Sequence, residues 1–172
     1  MRRKFLQSLR APDAPLITAA IVMIVFGIGL RAQRLAFPRG LTWDEHHFVL
    51  NAKTYLAHQP DLNDHPPLGK LLIALPIHLL GDTSLAWRLA PFLLGCVNIV
   101  LVGLIAAWVA ERRTAFWVGA ALAAVDGFLI AYSRSALLDG MLACLCMAAV
   151  LTALRARSWP SFALASLLLG SA

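Results

Sequence analysis

The chain has 172 residues, of which 60% are hydrophobic and 14% are charged, and its formal net charge is +6 at pH 7. Soluble domains are about 45–50% apolar and about 25% charged, so this composition excludes an ordinary soluble domain and indicates a polytopic membrane protein. The basic residues gather in short segments between apolar runs, which is typical of membrane topology and removes the reason to expect a nucleic-acid partner.

Five apolar runs predict membrane-spanning helices. The first, about 14–32, follows the basic segment MRRKFLQSLR and has no small-residue cleavage motif after it, which predicts an uncleaved signal-anchor helix. Further spans are predicted at about 84–110, 114–133 and 136–154, and a fifth begins at Pro160 and reaches residue 172. Lipid cannot satisfy open backbone groups, so the predicted fold class is an all-α membrane bundle within a single domain.

The apolar segment 68–80 is only thirteen residues long, which predicts a helix lying in the membrane interface. Five leucines share one face of this helix: Leu68, Leu71, Leu72, Leu75 and Leu79. If this helix does not span, the basic segments RRK at the N-terminus, ERR at 111–113 and RAR at 155–157 fall on one side. The positive-inside rule then places the N-terminus in the cytoplasm and the loop 33–67 on the extracytoplasmic face, as in a bacterial cytoplasmic membrane.

Two polar motifs occur in the loop 33–67. In TWDEHHF, the adjacent Asp44 and Glu45 suit a general base beside an orienting carboxylate, and the structural alternative is a solvated loop or an acidic helix start. In NDHPPLGK, the prolines fix the entry into the next helix, and Lys70 near that helix N-terminus suits an anion such as phosphate. A snorkelling lysine on an interfacial helix is the structural alternative.

Ionisable residues also interrupt the apolar runs. Arg88, Asp126 and Asp139 lie in or beside predicted spans, where charges usually face a bundle interior or a polar cavity. Pairing of Asp126 with Arg134, in the segment YSRSALLDG, is a structural alternative.

Cys96, Cys144 and Cys146 all lie inside apolar runs, so the pattern indicates small buried side chains, and no Cys/His spacing resembles a structural zinc site.

Four sequence elements in order resemble the protein O-mannosyltransferases, glycosyltransferase family 39 of the GT-C superfamily. They are WDEHHF, DHPPLGKLL, WRLAPFLLG and AAVDGFLIAYSRSALLDGML, and together they cover roughly residues 42–145. The resemblance implies a GT-C-type helix bundle whose active site lies on the extracytoplasmic face. It also implies an enzyme that transfers mannose, or a related sugar, from a polyprenyl-phosphate carrier to an acceptor hydroxyl of a protein or glycan, with inversion.

The resemblance also implies roles for individual residues. Asp44 matches the catalytic base and Glu45 its carboxylate partner. The donor or its phosphate is expected at His65, Lys70, Arg88 and Arg134, with Arg88 also supporting the acidic pair. Asp64, Asp126 and Asp139 are expected to support the substrate site. The lipid-linked sugar is a substrate, and the scheme requires neither a cofactor nor a metal ion.

The family's chains are several times longer, so this chain is expected to be an N-terminal portion that acts with a missing C-terminal half or a membrane partner. Two alternatives stay open at this point. One is a small transporter subunit, with Arg88 and Asp126 as pathway residues. The other is a non-catalytic GT-C module that assembles with other subunits.

Overall fold

The computed structural model describes residues 13–60 and 65–171, and within those ranges the regular structure is helical, with no strand. The described helices are α1 (Ala14–Ala32), α2 (Glu45–Leu56), α3 (Pro67–Leu80), α4 (Ser84–Ala110), α5 (Arg113–Val125), α6 (Gly127–Tyr132), α7 (Asp139–Arg155) and α8 (Trp159–Ser171). The predicted all-α fold class is therefore confirmed.

Helices α1 and α4 contain 19 and 27 residues and are long and apolar enough to cross a membrane by length and composition. They occupy the intervals predicted for the first two spans. Helices α3, α5 and α8 are apolar but shorter. Exposed large hydrophobic side chains cover the outside of α1 and α4, as expected for helices whose outer surface faces lipid instead of water.

The predicted span 114–133 differs from the structure, where two helices meet at Asp126. The Asp126 side chain accepts a hydrogen bond from the Leu129 N–H at 2.8 Å and so caps the start of α6. Arg31 of α1 donates to the carbonyls of Ala123 and Ala124, which lie in the last turn of α5. These carbonyls would otherwise be unpaired at the end of α5. At the break, backbone groups at the end of α5 and at the start of α6 therefore both have hydrogen-bond partners.

One end of the bundle gathers the polar elements, and we call it the site end. Helices α1 and α5 finish there, as the contact of Arg31 with the end of α5 requires. Helix α4 begins there, because the Ser84 hydroxyl donates to the Ala36 carbonyl at 2.7 Å, just after α1. At the opposite end, the Arg155 guanidinium lies 5.6 Å from the Trp108 ring, which brings the ends of α4 and α7 together.

Helix α3 stays at the site end. Its buried Ile73, Ala74 and Ile77 belong to a core that also contains residues of α2 and of the first two turns of α4. The opposite face of α3 is exposed and carries the leucines Leu71, Leu75 and Leu79. The placement of α3 along the membrane interface stays a prediction.

The loop 33–67 contains a helix, α2, that the sequence interpretation did not predict. Glu45, Phe48, Val49 and Ala52 are buried along one face of α2, at the spacing of a packed helix. Because the first of these buried positions is the charged Glu45, the sequence does not show a continuous apolar face for α2. The interactions of the Glu45 carboxylate form the centre of the candidate site.

Candidate functional site

The Glu45 side chain is fully buried at the site end and accepts five hydrogen bonds from protein groups outside its own helix. Its Oε1 accepts from Arg88 Nε at 2.7 Å and from the Ala136 N–H at 2.8 Å. Its Oε2 accepts from Arg88 Nη2 at 2.8 Å, and also from the Thr42 N–H at 3.0 Å and the Thr42 hydroxyl at 2.8 Å. Glu45 therefore joins the loop before α2, helix α4 and the segment before α7.

The buried Glu45 carboxyl is ionised. Burial opposes its ionisation most strongly, but the hydrogen bonds from Arg88, the Ala136 N–H and Thr42 together outweigh burial, so the pKa of Glu45 lies below its ordinary value. A buried carboxylate with this number of donors is stable only because each oxygen is paired. Its geometry therefore suits a fixed structural anion.

Arg88 is the partner of Glu45, and protein acceptors occupy all five of its N–H donors. Besides the two bonds to Glu45, Nη1 donates to the carbonyls of Leu35 and Pro38 at 3.2 and 3.0 Å, and Nη2 donates to the Gly40 carbonyl at 3.3 Å. The arginine thus holds the loop that leads into α2. Its predicted support of the acidic pair matches this geometry, whereas a direct phosphate contact would require one of these bonds to break.

Asp44 differs from Glu45 in its exposure and in its hydrogen bonding. It is exposed, it makes no side-chain hydrogen bond within the described residues, and it precedes the first residue of α2. The backbone on both sides is fixed, because Thr42 and Glu45 are bonded to each other. The adjacent carboxylates therefore divide into a buried, paired anchor at Glu45 and an accessible, unpaired group at Asp44.

An open pocket of about 350 Å³ lies between the loop after α1 and the segment that contains α6. Arg88 and Arg134 line it, together with the hydroxyl-bearing Thr42 and Ser135. Arg134 is half-buried and donates through Nη2 to the Gln33 carbonyl at 2.7 Å, which leaves its other N–H groups available to a ligand. The other N–H groups of Arg134 can donate to an anion, and the hydroxyl oxygens of Thr42 and Ser135, which donate within the protein, can still accept from ligand hydroxyls.

His65 and Lys70 contact aromatic residues of α2. His65 is exposed, with its ring edge-to-face against Phe48 at 5.3 Å. Lys70 is fully buried, and its Nζ lies 5.5 Å from the centre of the Tyr55 ring. The lysine is therefore held against α2. Asp64, which was predicted to support the site, lies outside the described residues.

The two remaining predicted aspartates are exposed at helix starts. Asp126 caps α6, and Asp139 is the first residue of α7, where a negative charge is favourable. No ion pair joins Asp126 to Arg134, although the structure describes both residues. Within the part of the chain that the structure describes, no group of three or more His, Cys, Asp or Glu residues could hold a metal ion.

Sequence reasoning missed Arg31 and Thr42. Arg31 is fully buried in a predicted span, and its position inside an apolar run was the available signal. Thr42 stands three residues before Glu45, which is the spacing of a capping box, and its N–H reaches the carboxylate in that manner.

Two family models, both described as dolichyl-phosphate-mannose-protein mannosyltransferase, match residues 21–87 and 64–172. A polyprenol-phosphate-mannose--protein mannosyltransferase of Mycolicibacterium smegmatis is 32% identical over 115 residues, covering 62% of this chain and 22% of the relative. The protein of that name from Mycobacterium tuberculosis is 36% identical over 78 residues, covering 45% and 15%. The dolichyl-phosphate-mannose--protein mannosyltransferase 3 of Saccharomyces cerevisiae is 35% identical over 65 residues, covering 38% and 9%.

The matched part of the chain thus spans about a fifth or less of the length of these relatives. No solved structure matches the chain significantly. One family model alone covers well over half of the chain, from the entry into α3 to the C-terminus, and the other covers the acidic pair. The chain belongs to the dolichyl-phosphate-mannose-protein mannosyltransferase family.

Proposed function

We propose that this chain supplies the acceptor-activating part of a membrane mannosyltransferase. The enzyme transfers mannose from a polyprenyl-phosphate carrier to the hydroxyl of a protein serine or threonine. The observation that carries this proposal is the contrast between the exposed, unpaired Asp44 and the buried, fully paired Glu45 beside it. The names of the family and its relatives support the donor and acceptor classes.

In the proposed step, the acceptor oxygen attacks C1 of the mannose while the bond between C1 and the phosphate oxygen breaks. The phosphate leaves with the bonding electron pair, and the configuration at C1 inverts. Asp44 accepts the acceptor's hydroxyl proton, because it is the accessible carboxylate and no protein donor competes for it. A polyprenyl phosphate is a good leaving group, so the step needs no metal ion.

Arg134 is the best placed of the predicted donor residues to stabilise the departing phosphate, because it lines the open pocket and has unused donors. His65 and Lys70 remain predicted donor contacts. Arg88 acts through Glu45: the ion pair fixes the loop and the start of α2, which carry Asp44 between them. Positioning of this kind supports catalysis by holding the base near the reacting atoms.

We propose that the site end faces away from the cytoplasm. At the opposite end, exposed Arg112, Arg113 and Arg157 lie in or beside two short connections. At the site end, Arg31 and Arg88 are buried among protein acceptors, and Arg34 and Arg39 are exposed in the longer connection after α1. Exposed basic residues in short connections favour the cytoplasmic side.

No observation specifically favours a transporter, because Arg88 is bonded to protein acceptors and Asp126 caps α6.

The proposal is tested with the full gene product in native membranes, supplied with radiolabelled polyprenyl-phosphate mannose and a threonine peptide. Asp44→Asn should lower transfer by about 10²-fold or more, as expected on removing a general base. Asp13→Asn is the matched control, since Asp13 is also an exposed aspartate but precedes α1 at the opposite end. Wild-type transfer by Asp44→Asn would refute Asp44 as the base.

A further inference from the structure

Trp43 combines an exposed indole ring with an unusual backbone conformation. Its side chain is 91% exposed, and its backbone has a φ of 49° in the left-handed region. A bulky residue in this region is a true outlier, and such strain persists only where the surrounding structure enforces it. Here the Thr42–Glu45 hydrogen bonds span Trp43 and hold its backbone, so the indole projects from a fixed point of the chain.

The exposure of Trp43 is not explained by a membrane belt alone. Trp159 is almost as exposed, at 86%, but it lies at the opposite end and begins a regular helix. An interfacial tryptophan tolerates many orientations, and a strained backbone adds nothing to that role. The strain at Trp43 instead coincides with its position immediately before Asp44.

This adjacency restricts what can contact the ring. Under the proposed function, the acceptor hydroxyl must come within hydrogen-bond reach of the Asp44 carboxylate, roughly 2.6–3.2 Å. Consecutive Cα atoms are about 3.8 Å apart, so the residues that flank this hydroxyl in an acceptor polypeptide pass close to Trp43. Tryptophan offers a large, rigid surface with few rotatable bonds, and is enriched among residues that dominate binding.

We propose that Trp43 is an acceptor-binding residue, on which the polypeptide beside the reactive serine or threonine packs. The inference rests on the proposed function and names the partner of the same site. It predicts that Trp43 contributes to acceptor affinity and contributes little to donor affinity.

The test measures KM for acceptor and donor separately, with full-length protein in membranes, a threonine peptide and polyprenyl-phosphate mannose. Trp43→Ala should raise the acceptor KM about tenfold, in the range expected for loss of a central aromatic contact, with the donor KM within about twofold. Trp43→Gly should behave like Trp43→Ala, because glycine removes the ring and relaxes the left-handed backbone. Trp43→Phe should lie between, and Trp159→Ala should match the wild type.

Two results would overturn the inference. One is an unchanged acceptor KM in both the Ala and the Gly variants. The other is an equal rise in the donor KM, which would assign the ring to the sugar carrier or the membrane. A crosslinking readout does not depend on turnover: benzoylphenylalanine incorporated at position 43 of the Asp44→Asn variant should capture labelled threonine peptide, and at position 159 it should not.

Failure of this inference is distinguishable from failure of the proposed function. If Asp44→Asn abolishes transfer but the Trp43 variants bind the acceptor normally, only the role of Trp43 is refuted. If Asp44→Asn transfers mannose normally, the proposed base is refuted whatever the Trp43 variants do.

Discussion

Glu45 and Arg88 form a buried, two-point ion pair, with Oε1 to Nε at 2.7 Å and Oε2 to Nη2 at 2.8 Å. The side chains are 0% and 2% exposed. The remaining donors of Arg88 hold the loop before α2, and the remaining acceptor capacity of Glu45 holds Thr42 and Ala136. One ion pair therefore connects three parts of the chain that are distant in sequence and fixes the backbone around Asp44, the proposed base.

Breaking this ion pair should destabilise the protein strongly. In Glu45→Gln, the amide cannot neutralise Arg88, and its NH₂ group would face either a guanidinium or a backbone N–H. Loss of one partner of a buried pair costs about 3–5 kcal/mol. Thermal unfolding in detergent should show a large fall in midpoint for Glu45→Gln, whereas Asp44→Asn, which changes an exposed group, should shift the free energy of unfolding by no more than about 0.5 kcal/mol. Equal midpoints for Glu45→Gln and the wild type would contradict the role of the pair.

The same carboxylate predicts how stability depends on pH. The pKa of Glu45 is lower in the folded state than its ordinary value, so the folded state binds this proton more weakly than the unfolded state. The ionised Glu45 therefore adds its full contribution to the free energy of unfolding at pH values above its unfolded pKa of about 4.3. This contribution is lost as the pH falls through the lowered pKa of the folded state. Unfolding measured from pH 7 to pH 3 should show this loss in the wild type, and Glu45→Gln should remove most of it.

Asp82 provides a comparison for the pH measurement. The hydrogen bond from Lys53 lowers its pKa most, burial opposes this, and the Trp87 Nε1 donor at 2.6 Å lowers it further. The pKa of Asp82 is therefore lowered in the folded state, as it is for Glu45. The Lys53 and Asp82 side chains are 37% and 45% exposed, however, and exposed ion pairs contribute only about 0–1 kcal/mol to stability. Asp82→Asn should therefore alter the pH dependence less than Glu45→Gln; a larger effect from Asp82→Asn would contradict this ranking.

The contact between α1 and α5 should depend on Gly27. A Cβ placed on Gly27 would lie 2.1 Å from the Ala124 carbonyl oxygen, so the two helices would have to separate. Overpacking of this kind costs about 1–3 kcal/mol and would weaken the bonds of Arg31 to the end of α5. Gly29 is the matched control in the same helix, because a Cβ there meets nothing within 4 Å. Gly27→Ala should lower the unfolding midpoint, and Gly29→Ala should leave it unchanged or raise it; the reverse order would argue against the close approach.

The proposed orientation can be tested by cysteine accessibility in intact cells. In a variant with Cys96, Cys144 and Cys146 replaced by alanine, single cysteines are introduced as Gln59→Cys or Arg112→Cys. Both positions are exposed, near the site end and at the opposite end respectively. An impermeant maleimide should label position 59 from outside and position 112 only after lysis. Labelling of both positions from the same side would contradict the orientation.

The sequence predicted the helices that long apolar runs define, because such runs have few other structures available in lipid. It did not predict the break at Asp126, since the flanking residues are apolar and the break depends on Arg31, which lies about ninety residues earlier in the chain. It did not predict α2 either, because the buried stripe of that helix begins with a charge that only a distant arginine can neutralise.

The acidic pair shows the same limit at the level of the site. The sequence identifies two adjacent carboxylates but does not show which of them is buried. Burial of Glu45 depends on its hydrogen bonds with Arg88 and the Ala136 N–H, which are distant in the sequence. For Arg88, likewise, the sequence indicated a cation in an apolar run, but only the three-dimensional contacts show that its donors are directed to the loop. The charged residues were identifiable from the sequence, and their burial and pairing required the tertiary structure.

The central claim is that Asp44 performs chemistry while Glu45 maintains the framework. The most direct test is the rate of mannose transfer by full-length Asp44→Asn at saturating donor and acceptor, on protein whose unfolding midpoint equals that of the wild type. We expect a loss of about 10²-fold or more without a change in stability. Transfer at the wild-type rate by this folded variant would contradict it.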